Sequence, residues 1–201
     1  MIADQRGRVR RERAEGERAA AVERITAAAR ALLREHSVFE LSAATVASLA
    51  ETTRQTVHNY FPSMHELIFA LADDLTVDFQ TAGSDLDVDD LQWPYLYAER
   101  VANVALADPV LNRQVLLVSA SQGRGMAAAT SETNRQVVRV LNRRNPMAAD
   151  KAAWLTLTLF RGTLFTWAAE QLSDDELRSN MRDVADVVVT QREIWNKATT
   201  N

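Results

Sequence analysis

The sequence predicts an all-α protein of about nine helices, with a three-helix helix-turn-helix unit ahead of a larger helical domain. Three observations carry that expectation. First, 47% of the 201 residues are hydrophobic while only six are glycine and four proline, so a sizeable core and long helices are both affordable. Second, apolar residues recur at helical spacing, and β-branched residues rarely alternate with polar ones. Third, Ser42–Leu67 reads as two short helices joined by a bend, then an aromatic pair, then a third helix start.

The pattern divides the chain into residues 1–16, a flexible basic arm; 17–66, the helix-turn-helix domain; and 67–201, a second helical domain. In the arm, Arg6, Arg8, Arg10, Arg11 and Arg13 cluster with almost no apolar content. It is either a solvated tail or an arm that follows a nucleic-acid backbone or enters a minor groove. Helix one is expected from Glu17 to Glu35, with Val22, Ile25, Ala29 and Leu32 as its stripe, widened by Ala28 and Leu33. Phe39 and Leu41 are expected to plug the same small core.

Ser42 is placed to cap the next helix, whose small residues Ala43, Val46, Ala47 and Ala50 allow close packing. Glu51-Thr52-Thr53 breaks it, and Thr53 can cap a second helix over Arg54–Tyr60. That helix has Val57 and Phe61 on one side and Arg54, Gln55, His58 and Asn59 on the other. Pro62 stops it, and Ser63 with Glu66 forms a capping-box pattern for a helix running past Phe79.

A short helix that shows Arg, Gln and Asn suits the major groove. Arginine pairs bidentately with guanine, and Gln or Asn with adenine. The second helix of a helix-turn-helix is presented in that way. Residues 1–65 hold ten arginines against eight acids, whereas the remainder holds thirteen Lys or Arg against nineteen acids, a modest asymmetry that brings the net charge to −4. The front end therefore suits an anionic partner better than the rest.

This stretch resembles the DNA-binding domain of the TetR family of transcriptional regulators. The resemblance runs through Arg24-Ile25, Ala28-Ala29, Leu32-Leu33, Val46-Ala47, Ala50, Thr53, Thr56-Val57, Tyr60-Phe61, Ser63 and Glu66-Leu67. Four positions depart from the family pattern. Glu51 stands where a turn glycine is usual, and Ser37 where another is frequent. His58 replaces a tyrosine and Met64 a lysine, both at positions that commonly meet phosphate. The resemblance implies a cytoplasmic, homodimeric, sequence-specific DNA-binding regulator, a repressor released by a small-molecule effector. On that reading Arg54, Gln55 and Asn59 reach base edges of a palindromic double-stranded operator. Ser42, Thr53, Thr56, His58 and Tyr60 hold phosphates or position the helix. The alternative is a helical small-molecule sensor or carrier that has lost DNA binding, which Glu51, Met64 and the acidic balance favour.

Beyond Phe79 the expected lever helix gives way to the acidic run Gly83–Asp90. Its Asp-x-Asp-x-Asp spacing lacks the glycine and glutamate of a calcium loop, since Asp90 and Leu96 stand at those places. Helices are expected over Leu91–Asp108, from Asp108-Pro109 through Val118, over Met126–Arg144, over Ala148–Leu172 and over Asp174–Trp195. The Gly123-x-Gly125-x-x-Ala128 run lacks the βαβ setting of a dinucleotide fingerprint and reads as a helix break. The two closing helices are apolar on more than one face, which implies a second copy as cover. In the resemblance these helices form the homodimer interface, with Phe160-Arg161-Gly162 as a close-packing site. The same resemblance implies an effector pocket in the second domain, for which Trp93, Tyr97, Arg100, Asn134, Trp154, Arg161 and Phe165 are candidate lining residues.

No catalytic, metal or cofactor site is expected. His36, His58 and His65 lack metal-ligand spacing, no Gly-x-Ser-x-Gly occurs, and there is no cysteine for disulfide or thiolate chemistry. No apolar run approaches the ~20 residues that span a bilayer, and none follows the charged N-terminus as a secretory signal would.

Overall fold

A computed structural model describes residues 2–86, 92–122 and 146–198, and among these the regular structure is helical. The elements are α1 (Ile2–Glu35), a 3-10 turn (Val38–Glu40), α2 (Ala43–Leu49), α3 (Arg54–Tyr60) and α4 (Met64–Thr81). They continue as α5 (Trp93–Leu106), α6 (Pro109–Gln122), α7 (Pro146–Ala168) and α8 (Asp174–Ala198). The helix expected over Met126–Arg144 and the Gly123–Ala128 run lie outside the described residues. The chain divides into two compact units, Met1–Leu71 and Ala72–Asn201, so the division falls inside α4.

The expected arm is a helix. Helix α1 starts at Ile2 rather than near Glu17, because residues 1–16 are rich in Arg, Glu and Ala, which favour helix. Ion pairs one turn apart, Arg8–Glu12 at 3.5 Å and Arg13–Glu17 at 2.9 Å, reinforce it. Further along α1 the inward stripe is Ala21, Ile25, Ala28, Ala29 and Leu33, whereas Val22 and Leu32 sit at its half-buried margins. Thr26 also turns inward, and its hydroxyl donates to the carbonyls of Val22 and Glu23, which satisfies it within its own helix.

The core of the first unit is completed by Val46, Ala47 and Ala50 of the α2 segment, Val57, Phe61, and Leu67, Ile68 and Leu71 of α4. Alanine on α1 and α2 lets those helices approach closely. Phe39 does not join this core and is 95% exposed. A capping box between Ser37 and Glu40 holds Val38–Glu40 as a single tight turn, and that local bonding leaves Phe39 facing outward.

The second unit packs α5 on α8, α8 on α7, α7 on α6 and α6 on α5. Its core holds Trp93, Tyr97 and Val101 from α5, Val115 and Leu116 from α6, Leu157, Phe160, Leu164 and Trp167 from α7, and Leu177, Met181 and Val188 from α8. Arg113 of α6 ties three elements together. It donates to the Trp167 carbonyl at 2.7 Å, the Leu172 carbonyl at 3.3 Å and the Asp174 carboxylate at 2.8 Å. Its guanidinium also lies 4.4 Å from the centre of the Trp167 ring, whose indole N–H donates to Asp174 at 2.8 Å. The Trp167 and Arg113 bonds hold the Asp174 carboxyl below its ordinary pKa.

Candidate nucleic-acid interface

The helix-turn-helix is set by three local caps. The Ser42 hydroxyl accepts from the Thr45 N–H at 3.2 Å, and Thr45 returns a bond to the Ser42 N–H. Thr53 accepts from the Thr56 N–H at 3.1 Å, and Ser63 from the Glu66 N–H at 3.2 Å. Each cap satisfies a backbone donor that a helix start leaves unpaired.

The turn between α2 and α3 is a Schellman ending. The Thr52 N–H donates to the Ala47 carbonyl at 2.9 Å and the Glu51 N–H to the Ser48 carbonyl at 3.4 Å. This geometry needs a left-handed residue, and Glu51 takes it with φ at 50°. Glycine reaches that conformation without strain, whereas a side chain costs about 1–2 kcal/mol.

Helix α3 buries Val57 and exposes Arg54, Gln55, His58 and Asn59 on its other side. The four are brought onto one surface by the i, i+1, i+4, i+5 spacing. Gln55 and Asn59 already bond to each other, Nε2 to Oδ1 at 2.9 Å. Ser42, Thr56 and Tyr60 are half-buried, and Thr53 is exposed with its hydroxyl 2.9 Å from that of Thr56. The first duty of Ser42 and Thr53 is therefore capping. One neighbour was missed from sequence: the Arg18 guanidinium lies 5.9 Å from the centre of the Tyr60 ring. Its signal was the seven-residue step to Ile25, which puts the exposed Arg18 in line with the apolar stripe of α1.

The effector candidates scatter over the second unit. Trp93 and Tyr97 stack one turn apart on α5, with ring centres 5.2 Å apart and planes 7° from parallel. Phe160, expected from sequence at the close-packing site of the closing helices and not among the pocket candidates, meets Tyr97 edge-on at 5.5 Å. Arg161 sits 6.0 Å from the Phe165 ring centre, and Trp154 is 63% exposed. Arg100 binds the Asp85 carboxylate and the Ala82 carbonyl, and lines a surface cleft of about 520 Å³ with Asp78, Thr81, Asn103 and Val104. Asn134 lies outside the described residues. Among the described residues, no cluster of metal-ligating groups occurs and no helix is long and apolar enough to cross a membrane.

Residues 25–71 match the family model of bacterial regulatory proteins, tetR family. This segment is of the TetR family. It marks the chain as a DNA-binding regulator of transcription and covers α2, α3 and the caps just described. The TetR-like fold extends over most of the chain. A TetR transcriptional regulator from Rhodococcus sp. RHA1 is 19% identical, with a TM-score of 0.57 over 86% of this chain and 98% of that one. NalD of Pseudomonas aeruginosa, the secondary repressor of the MexAB-OprM multidrug efflux pump, is 16% identical, with a TM-score of 0.62 over 86% and 97%. FadR of Thermus thermophilus, a TetR-family repressor in complex with lauroyl-CoA, is 15% identical, with a TM-score of 0.60 over 84% and 93%. Comparison with curated proteins found no match.

Proposed function

We propose that this TetR-family regulator is a homodimeric repressor that reads a palindromic operator with α3 and releases it when a small molecule binds the second unit. The observation that carries the reading is the exposed Arg54, Gln55, His58 and Asn59 surface on α3, which Thr53 caps. Arg54, Gln55 and Asn59 read base edges, while Ser42, Thr53, Thr56, His58 and Tyr60 hold phosphates or fix the helix.

Dimerisation through α7 and α8 is supported by what one chain leaves uncovered. Trp154 and Leu159 of α7 and Val187 of α8 are 63%, 40% and 41% exposed. Gly162 lies between Trp154 and Leu159 on the same side of α7, and a Cβ built there meets nothing within 4 Å. Among the described residues nothing requires a glycine at that place, whereas a closely crossing partner helix would. Two copies related by a two-fold axis then present two α3 helices to half-sites one DNA turn apart.

The effector acts as a coupling free energy. If it favours a separation of the two α3 helices unlike that of the operator, ligand and DNA weaken each other by the same factor. A coupling of about 1–3 kcal/mol changes affinity roughly 5- to 150-fold. Repressor action and effector release fit NalD and the lauroyl-CoA complex of FadR, whose folds this chain shares.

The test is a gel shift on DNA flanking the protein's own gene, followed by selection from a randomised operator library. Gln55→Ala is expected to relax sequence preference, while Tyr60→Phe weakens all sequences alike. An equal loss across the library for both variants would sink that division of roles. Binding should also fall with salt, log K sloping about −0.9 per phosphate neutralised.

A further inference from the structure

Trp93 is 1% exposed, and its indole N–H is the buried side-chain donor that finds no hydrogen-bond partner among the described residues. Leaving such a group unpaired costs about 1–3 kcal/mol. Among the described residues, the other buried indole, that of Trp167, is paired with Asp174. Orphaned buried donors are rare in folded proteins, and one retained in a stacked aromatic cluster needs a reason.

The cluster supplies one. Trp93 and Tyr97 form a parallel stack on α5, and Phe160 of α7 closes on Tyr97 at an 87° angle. These rings offer flat and edge surfaces suited to another ring. None of the three carries a charge, so the rings themselves offer no counter-charge to a buried anion or cation. A neutral acceptor such as a carbonyl oxygen needs only the one donor that Trp93 has to give.

We propose that Trp93 is the polar anchor of the effector site, donating its indole N–H to a neutral carbonyl-type acceptor on an aromatic ligand that packs against the Tyr97 and Phe160 rings. The assignment rests on the reading of the second unit as effector-binding and adds the ligand's class to it. The unpaired donor raises the free energy of the ligand-free protein, and an acceptor recovers part of that energy on entry. An apolar ligand of the same shape does not. Discrimination thus comes from one bond, worth about three- to tenfold in affinity.

Matched pairs test this on the full-length protein: acetophenone against α-methylstyrene, and benzophenone against 1,1-diphenylethylene, each differing by C=O for C=CH2. Titration is followed by the indole N–H resonances of the four tryptophans, assigned by elimination with Trp154→Phe, Trp167→Phe and Trp195→Phe. The ketones are expected to move the Trp93 resonance downfield and to bind about three- to tenfold tighter than the alkenes. Trp93→Phe should erase that preference. If Trp93→Phe does not fold, the resonance shift in the unaltered protein decides. Equal binding within both pairs, an unmoved Trp93 resonance, a preference that survives Trp93→Phe, or no binding by either ketone would overturn the proposal. A compound that releases operator DNA while leaving the Trp93 resonance in place would discard this assignment and keep the regulatory reading.

Discussion

The end of α2 and the end of α7 close by the same backbone device. At each, a Schellman pair of hydrogen bonds demands a left-handed residue: Thr52 to Ala47 with Glu51 to Ser48, and Gln171 to Thr166 with Glu170 to Trp167. At each, the residue in that conformation is a glutamate, with φ of 50° at Glu51 and 60° at Glu170. A polar cap then opens the next helix, Thr53 for α3 and Ser173 for α8. The difference lies in the backing. Behind Glu170, Arg113 grips the carbonyls of Trp167 and Leu172 and the carboxylate of Asp174. The turn at Glu51 is held by its own backbone and by the small side chains of Val46, Ala47 and Ala50 in the core beneath. One strained turn is clamped by a side chain from a distant helix, and the other is held locally. On the proposed reading, a turn that lies beside DNA gains by keeping its outer surface clear.

The clamp is the place to break the comparison hardest. Arg113→Met keeps much of the stem but removes three donated bonds and the contact with the Trp167 ring. It is expected to destabilise the fold by about 2–4 kcal/mol, measured by urea unfolding. An unchanged midpoint would show that the α7–α8 turn needs no clamp.

A smaller effect separates the two turns from each other. Glu51→Gly and Glu170→Gly each relieve a side chain at positive φ, and each should raise stability by about 0.5–1 kcal/mol. Only Glu51→Gly should also tighten DNA binding, because it removes a negative charge from the turn ahead of α3. Equal DNA affinity in both variants, at low salt, would place Glu51 away from the phosphates.

The smallest effect comes with acid. The Trp167 indole and then Arg113 hold the Asp174 carboxyl below its ordinary value of 3.8. Its contribution is therefore complete above that value and is lost as pH falls towards the lower value of the folded state. Stability from this group should be flat near neutrality and decline below about pH 4, and Arg113→Met should make the decline shallower. A profile with the same slope in both proteins would remove Arg113 from that role.

The comparison also separates what the sequence makes legible from what it hides. The caps at Ser42, Thr53 and Ser63 were readable, because each is a bond to a backbone group three residues away. Trp93 and Tyr97 were nameable as a pair from their four-residue spacing. The Arg113 clamp was not, since its partners lie 54 to 61 residues on and no local pattern joins them. The contact of Phe160 with Tyr97 was hidden for the same reason, and the sequence placed Phe160 at a helix close-packing site instead. Phe39 failed differently: hydrophobicity argued for burial, and a local capping box won. The early start of α1 shows the reverse, with local propensity and ion pairs making a helix where composition alone suggested coil. Glu51 was visible from sequence only as a missing glycine, and its φ gives that absence a physical meaning.

The bond between Gln55 and Asn59 has a bearing on how a reader of DNA tells sites apart. On the proposed reading, these two side chains spend the search occupied with each other. To read a base, each must let go, and the base must offer at least as much in return, about 0.5–1.5 kcal/mol for the bond given up. A correct adenine, with a donor and an acceptor side by side, meets that threshold. A mismatched edge that offers a single poor contact does not, so the pair stays closed and the protein moves on. The free helix thus carries its own toll against near-miss sequences, set before any DNA arrives.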